Sequence, residues 1–232
     1  MKIDIVTLFT KMFESPFAES IINRAIKNKI IDLKIHNLRD FAIDNYGSVD
    51  DKPFGGDVGM LIRVEPVFNA LEKIKNENKD YKNRKIVLMS ARGKKFNQEK
   101  AEELVKLDNL ILIAGHYEGF DQRISDFMID EELSIGDYVL TGGEIPAMVI
   151  IDAVSRLIPG VLGKDESNKI ESFSQRSIEG KIVRTIEYPQ YTRPQEFMGK
   201  KVPEVLISGD PKKIKEWQIE QIKKQLEKRE SK

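Results

Sequence analysis

Leu110-Ile111-Leu112-Ile113-Ala114 is an unbroken apolar run that opens into Gly115-His116-Tyr117-Glu118-Gly119-Phe120-Asp121. A second glycine-rich stretch, Ser134-Ile135-Gly136-Asp137-Tyr138-Val139-Leu140-Thr141-Gly142-Gly143-Glu144, leads through Ile145-Pro146 into a helical pattern. An apolar run of strand length is what a strand buried on both faces requires. Glycine at its carboxyl end permits positive φ and lets a ligand lie against bare backbone. In open α/β sheets, ligands bind outside the carboxyl ends of the strands. Two glycine turns this close in the chain predict one pocket built from two loops.

Further strand-like segments lie at Ile3–Leu8, Ile31–Ile35 and Ile86–Met89. Helical spacing separates them: Phe17, Ile21, Ile22, Ala25 and Ile26; Val67, Leu71 and Ile74; Ala101, Leu104 and Val105. Ile145–Leu157 supplies another helix, with Pro146 in the first turn, where a missing N–H does no harm, and Pro159-Gly160 to stop it. Alternating strand and helix predicts an α/β fold with a mostly parallel sheet in a three-layer sandwich. The first strand runs into Phe9-Thr10-Lys11-Met12-Phe13 without a glycine, and no phosphate-binding G-x-x-x-x-G-K-[ST] occurs. A dinucleotide or pyrophosphate site of the usual kind is therefore not expected.

The 232 residues can bury a full core, and one α/β domain with a small appendage is the natural expectation. With no cysteine, disulfides and thiolate chemistry are excluded, and two histidines leave little material for a His-rich metal site. No targeting pattern or membrane-length apolar run is present, so a cytoplasmic protein without a membrane partner is expected. The 38 basic and 38 acidic residues balance, but Lys181–Lys232 holds 13 basic against 8 acidic. Such asymmetry fits either a polyanion-binding tail or an ordinary solvated helix. Gly163-Lys164-Asp165-Glu166-Ser167-Asn168-Lys169 has no apolar anchor and reads as a linker. Beyond it, Ile214, Trp217, Ile219 and Ile222 mark a basic helix.

The two glycine loops resemble the signature of bacterial tRNA (guanine-N1)-methyltransferases. Val49-Asp50-Asp51, Pro53-Phe54-Gly55-Gly56 with Gly59-Met60, Ser155-Arg156 with Ile158-Pro159-Gly160-Val161, and Tyr191-Thr192-Arg193-Pro194 extend the match over the whole chain in the family's order. The resemblance implies a SPOUT-type fold with a deep trefoil knot, and a homodimer whose active sites are shared across the interface. It also implies S-adenosylmethionine as methyl donor and, as acceptor, N1 of the guanosine immediately 3′ of the anticodon of tRNA, guanosine-37. The implied division is a donor-binding domain over 1–161, a flexible linker over 162–174 and a small, mainly helical tRNA-binding domain over 175–232.

Carried over residue by residue, the donor site falls on Gly115, Tyr117, Glu118, Gly119, Ser134, Ile135, Gly136, Asp137, Tyr138, Val139, Leu140, Gly142, Gly143 and Pro146. Methyl transfer from a sulfonium is an in-line displacement and needs no covalent nucleophile, which suits a chain without cysteine. It does require removal of the guanine N1 proton, a task for a carboxylate, and a cation near O6 to offset the charge left on the ring. Glu171 of Glu171-Ser172-Phe173 stands where the family has aspartate, and Arg156 matches the family's active-site arginine. Alone, Glu171 would read as a linker acid and Arg156 as a cation answering a helix dipole. Glu118 and Glu171 are the expected ligands of a magnesium ion, a hard cation that leaves little trace in sequence. Asp50, Gly55 and Gly59, in a long permissive loop, and Lys212, Lys213 and Lys215 in the basic tail are the expected RNA contacts. Tyr117, Tyr138 and Tyr191 suit base stacking or simple packing. Three departures from the family stand out: Asp57 for a third glycine, Ala91 for proline and His116 for arginine. The competing readings are, from another class, a non-catalytic RNA-binding module that kept the fold and, third, a different nucleotide-binding enzyme such as a dehydrogenase.

Overall fold

Strands with apolar side chains on both faces need a layer on each side of their sheet. The computed structural model, which describes residues 1–162, 171–178 and 180–230, shows both layers. The chain divides into two units, Met1–Gly163 and Lys164–Lys232. In chain order the first contains β1 (Lys2–Thr7), α1 (Glu14–Phe17), α2 (Ser20–Lys27), β2 (Asp32–Asn37), β3 (Asp50–Asp51), β4 (Leu61–Ile62) and α3 (Val64–Glu77). It continues with β5 (Arg84–Lys95), α4 (Gln98–Leu104), β6 (Asn109–Ile113), α5 (Gln122–Phe127), β7 (Glu131–Ser134) and α6 (Glu144–Ser155).

The main sheet has the order β2-β1-β6-β5-β7, and every neighbouring pair is parallel. Side chains alternate between its faces with period two. Ile3, Ile5, Val87, Met89, Leu110 and Leu112 pack under α2, α4 and α6. Val6, Ile86, Leu88, Ile111 and Ile113 pack on the opposite face, against α3 and α5. This is the expected three-layer arrangement, with two cores back to back.

Two features of the sheet differ from the sequence reading. The short edge strand β7 was not expected, because Glu131 and Glu132 open it with acids; Glu131 is held at the edge by Lys100 at 2.9 Å and Lys85 at 3.3 Å. The third strand-like segment, Ile86–Met89, is the middle of the much longer β5, whose pairing with β7 shifts register between Met89 and Lys94. At that irregularity a Cβ on Gly93 would lie 2.5 Å from the Leu133 backbone nitrogen, so only glycine lets the two strands meet. The Asp50–Gly59 loop is likewise more ordered than expected. β3 and β4 pair antiparallel at its base, and Gly55, Gly56 and Gly59 take φ of 98°, 87° and 103°.

A polar hub crosses the strand layer. The Asp4 carboxylate is fully buried and accepts from His36 Nε2 at 2.7 Å, Asn78 Nδ2 at 2.8 Å and Asn109 Nδ2 at 2.8 Å. It links β1, β2, the end of α3 and β6. Replacing Asp4 by alanine strands three buried donors and is expected to cost about 3 kcal/mol of unfolding free energy. Urea titration monitored by circular dichroism checks this; a loss under about 1 kcal/mol would mean the hub contributes little.

The second unit contains β8 (Gln175–Ile178), β9 (Lys181–Arg184), β10 (Glu196–Phe197), β11 (Lys200–Lys201), α7 (Glu204–Ile207) and α8 (Pro211–Glu230). The long helix was expected and the two antiparallel hairpins were not. Their strands are too short and too exposed to show alternation, and Gly180 and Gly199, with φ of 78° and 75°, are the trace they leave. Residues 163–170, most of the expected flexible linker, lie outside the described residues. Its last part, Glu171–Ser174, is not free chain. Phe173 N donates to Thr185 O at 2.6 Å, Arg184 Nη1 to Phe173 O at 2.9 Å and Glu187 N to Ser172 Oγ at 3.1 Å. The flanking hairpin supplies the partners that a reading by composition could not see.

Candidate functional site

Beyond the carboxyl ends of β6 and β7, and against the middle of β5, lies a cleft of about 540 Å³. Its walls are the two glycine loops, and one backbone hydrogen bond ties them together: Gly143 N donates to Gly115 O at 2.7 Å. Their approach depends on missing side chains. A Cβ on Gly143 would lie 2.8 Å from Gly115 N and 2.9 Å from Ala114 Cα. Tyr117, with φ of 60°, and Gly119, with φ of 118°, turn the first loop back toward β4. There Ile62 N donates to Gly119 O at 2.9 Å and Glu118 N to Met60 O at 3.1 Å. Ser134 Oγ closes the start of the second loop by donating to Gly136 O at 2.9 Å.

Thirteen of the fourteen residues expected to hold the donor line this cleft: Gly115, Tyr117, Glu118, Gly119, Ser134, Ile135, Gly136, Tyr138, Val139, Leu140, Gly142, Gly143 and Pro146. Asp137 does not; its carboxylate pairs with Lys95 at the exposed rim. The sequence reading missed Leu88, Met89, Ser90 and Arg92 in the middle of β5, and Gln122, which accepts from Arg92 Nη1 at 3.1 Å. No glycine marks the Leu88–Arg92 stretch, and strand order, which sets β5 beside β6, is not written in local pattern. Glu144 was also missed. Its carboxylate is 1% exposed, accepts from Thr7 Oγ1 at 2.8 Å and lies 3.9 Å from His116 Nδ1, so it braces both loops against β1.

The neighbouring Asp121 has a structural task. Its carboxylate caps α5 by accepting from Arg123 N at 2.9 Å and takes a fork from the Arg123 side chain at 2.8 and 2.6 Å. Those hydrogen bonds hold its pKa below the usual carboxylate value. Gly59 reaches the cleft, since a Cβ there would meet Glu118 Cγ at 2.3 Å. Gly55 lies in open space and Asp50 sits in the β3–β4 pair. Among the described residues, no group of three or more His, Cys, Asp or Glu side chains is placed to hold a metal ion.

Of the two residues expected to carry chemistry, Arg156 lies away from this cleft. Arg156 is exposed and caps the carboxyl end of α6, whose amino end meets the cleft. The twelve residues of α6 span about 18 Å at 1.5 Å each, so Arg156 stands a helix length from its own chain's cleft. Glu171 belongs to the second unit, at the root of the β8–β9 hairpin.

A family model described as tRNA (Guanine-1)-methyltransferase TrmD matches residues 1–231. The chain belongs to this family. A tRNA (guanine-N(1)-)-methyltransferase of Dehalococcoides mccartyi is 50% identical over 230 residues, covering 99% of this chain and 89% of the relative. Those of Citrifermentans bemidjiense and Carboxydothermus hydrogenoformans are 48% and 50% identical, over 97% and 95% of this chain and 87% and 82% of the relatives. A TrmD-family enzyme methylates N1 of guanine in tRNA, and the mostly parallel α/β sheet fits the SPOUT-type fold that goes with the family. The dehydrogenase reading falls away. No helix among the described residues is long and apolar enough to cross a membrane.

Proposed function

We propose that the chain transfers a methyl group from S-adenosylmethionine to N1 of guanosine-37, immediately 3′ of the tRNA anticodon. The observation that carries the reading is the cradle of bare backbone at Gly115, Gly136, Gly142 and Gly143, where added Cβ atoms would collide with the loops themselves. Its volume suits a small cofactor. A non-catalytic RNA-binding module would have no use for such a cradle. When bound, the donor supplies an activated methyl group on a sulfonium.

Glu171 takes the N1 proton of the acceptor, and the Arg156 guanidinium offsets the charge left on O6. With Arg156 a helix length from its own cleft, the active site is assembled between two copies, each giving Arg156 and Glu171 to its partner's cleft. The face of α6 supports such a homodimer: Ile145 and Val149, 46% and 42% exposed, line up at helical spacing with exposed Asp152 and Arg156. The trefoil knot is part of the same proposal, supported by the return of the chain after β7 across the end of β6 at the Gly143–Gly115 bond. Magnesium would be held by Glu118 and Glu171 together with substrate oxygens. Among the described residues, neither carboxylate belongs to a group of three or more His, Cys, Asp or Glu side chains placed to hold a metal. The enzyme would work in the cytoplasm, with the first unit holding the donor and the second the tRNA.

Transfer of a labelled methyl group to unmodified tRNA, followed by mapping of the modified base, tests the reading; label at any other atom or position overturns it. A second expectation concerns α8. Lys212, Lys213 and Lys215 sit exposed at its amino end, where the helix dipole disfavours cations. A phosphate partner would offset that cost. Reversing all three charges is expected to weaken tRNA binding and flatten its salt dependence by about two to three powers of salt concentration, with donor affinity unchanged. Equal salt slopes for mutant and wild type would take these lysines out of the RNA interface.

A further inference from the structure

Every residue from Tyr191 to Lys201 is exposed. Within this run, β10 and β11 form a hairpin that turns at Met198 and Gly199, with φ of 49° and 75°. Phe197 is 67% and Met198 86% exposed. Two paired strands of two residues each do not hold together by their own energy, and the large apolar side chains that would normally be buried beneath such a hairpin face solvent instead. Lys200 and Lys201 pair with Phe197 and Glu196 across the hairpin and Arg193 precedes it in the chain, against one acid, Glu196, whose carboxylate is 3.6 Å from Lys201 Nζ. A flat apolar ring flanked by cations is the combination that binds unpaired nucleotides, the ring stacking on a base and the cations meeting phosphates.

We propose that this hairpin tip is an RNA-binding element distinct from the lysines of α8. Phe197, backed by Met198, stacks on an unpaired base of the tRNA, and Lys200 and Lys201 meet the adjoining phosphates. The inference rests on tRNA being the substrate and adds the chemistry by which one surface of the second unit recognises it.

The test uses the full-length protein, unmodified tRNA and, as a probe without unpaired bases, a twelve-base-pair RNA duplex. Phe197→Ala combined with Met198→Ala should weaken tRNA binding about tenfold, leave its salt slope unchanged and leave duplex binding unchanged. Phe197→Trp keeps a stacking ring and should retain wild-type affinity. Lys200→Ala with Lys201→Ala should instead lower the salt slope by about 1.5 to 2. The assignment is overturned if the Phe197/Met198 variant binds tRNA as wild type does, or loses as much affinity for the duplex. It is also overturned if sedimentation shows that variant to have changed its association state, which would make the tip a contact between copies. Wild-type protein that fails to bind tRNA would overturn the functional reading itself, so the two failures are separable.

Discussion

Glu171→Gln should lower the turnover of tRNA methylation by about 10² to 10⁴-fold, the usual contribution of a positioned general base, while donor affinity stays at its wild-type value. Glutamine keeps the shape of the side chain and removes its negative charge, and with it the capacity to accept the N1 proton. The backbone around it should not move, because the bonds at Ser172 and Phe173 to Glu187, Arg184 and Thr185 involve no atom of the substituted side chain. The loss should fall on kcat, since the missing interaction belongs to the transition state. Single-turnover kinetics with saturating tRNA, together with calorimetry of donor binding, separates the two quantities. Turnover within threefold of wild type would assign the proton to another group. Glu171→Asp, which restores the family residue, measures how far the hairpin root has adapted to the longer side chain.

Mixing two inactive proteins should restore activity. Gly136→Val places a side chain where a Cβ already comes within 2.3 Å of the Tyr138 ring. The contact is with the end of a half-exposed side chain, so the ring shifts while the main chain holds; both residues line the cleft, and the change disturbs the donor's place there. Glu171→Gln leaves the cleft intact and lacks the base. If each site takes its cleft from one copy and its carboxylate from the other, a mixed dimer holds one intact site and one doubly damaged site. Random exchange of equal amounts makes half the dimers mixed, so activity should return to about a quarter of wild type under two-fold symmetry. Sites built within single chains allow no recovery. Verified subunit exchange without restored activity would therefore rule out the shared site.

The parts of the fold legible in sequence were those whose burial is complete. β1 and β6 are buried at every residue, and that burial shows in the apolar run Leu110–Ile113 of β6 and in Ile3, Ile5 and Val6 of β1. The glycine loops were legible because their geometry demands absent side chains, as at Gly143. β7 was not, since an edge strand opening on Glu131 takes its stability from ion pairs with Lys85 and Lys100 on other elements. The hairpins of the second unit were hidden for a related reason: hydrogen bonds across short exposed strands leave no periodic pattern. Within the site, residues contributed by loop backbone could be named in advance, whereas Met89, Arg92 and Glu144 could not. Their place depends on which strands lie side by side, a property of topology that no local window contains.

The cradle's reliance on main chain bears on how the cleft can change. Five glycines line it, and at four of them an added Cβ would collide with the loops themselves. Codon changes alter side chains and leave peptide groups in place. At those four glycines a substitution must move the loops before it can retune which small molecule the cleft accepts. The substitutions that do reshape it add a Cβ at a glycine, and they exclude the natural ligand along with any competitor. An inhibitor that reads this backbone would face a target with few routes to resistance that keep the enzyme working.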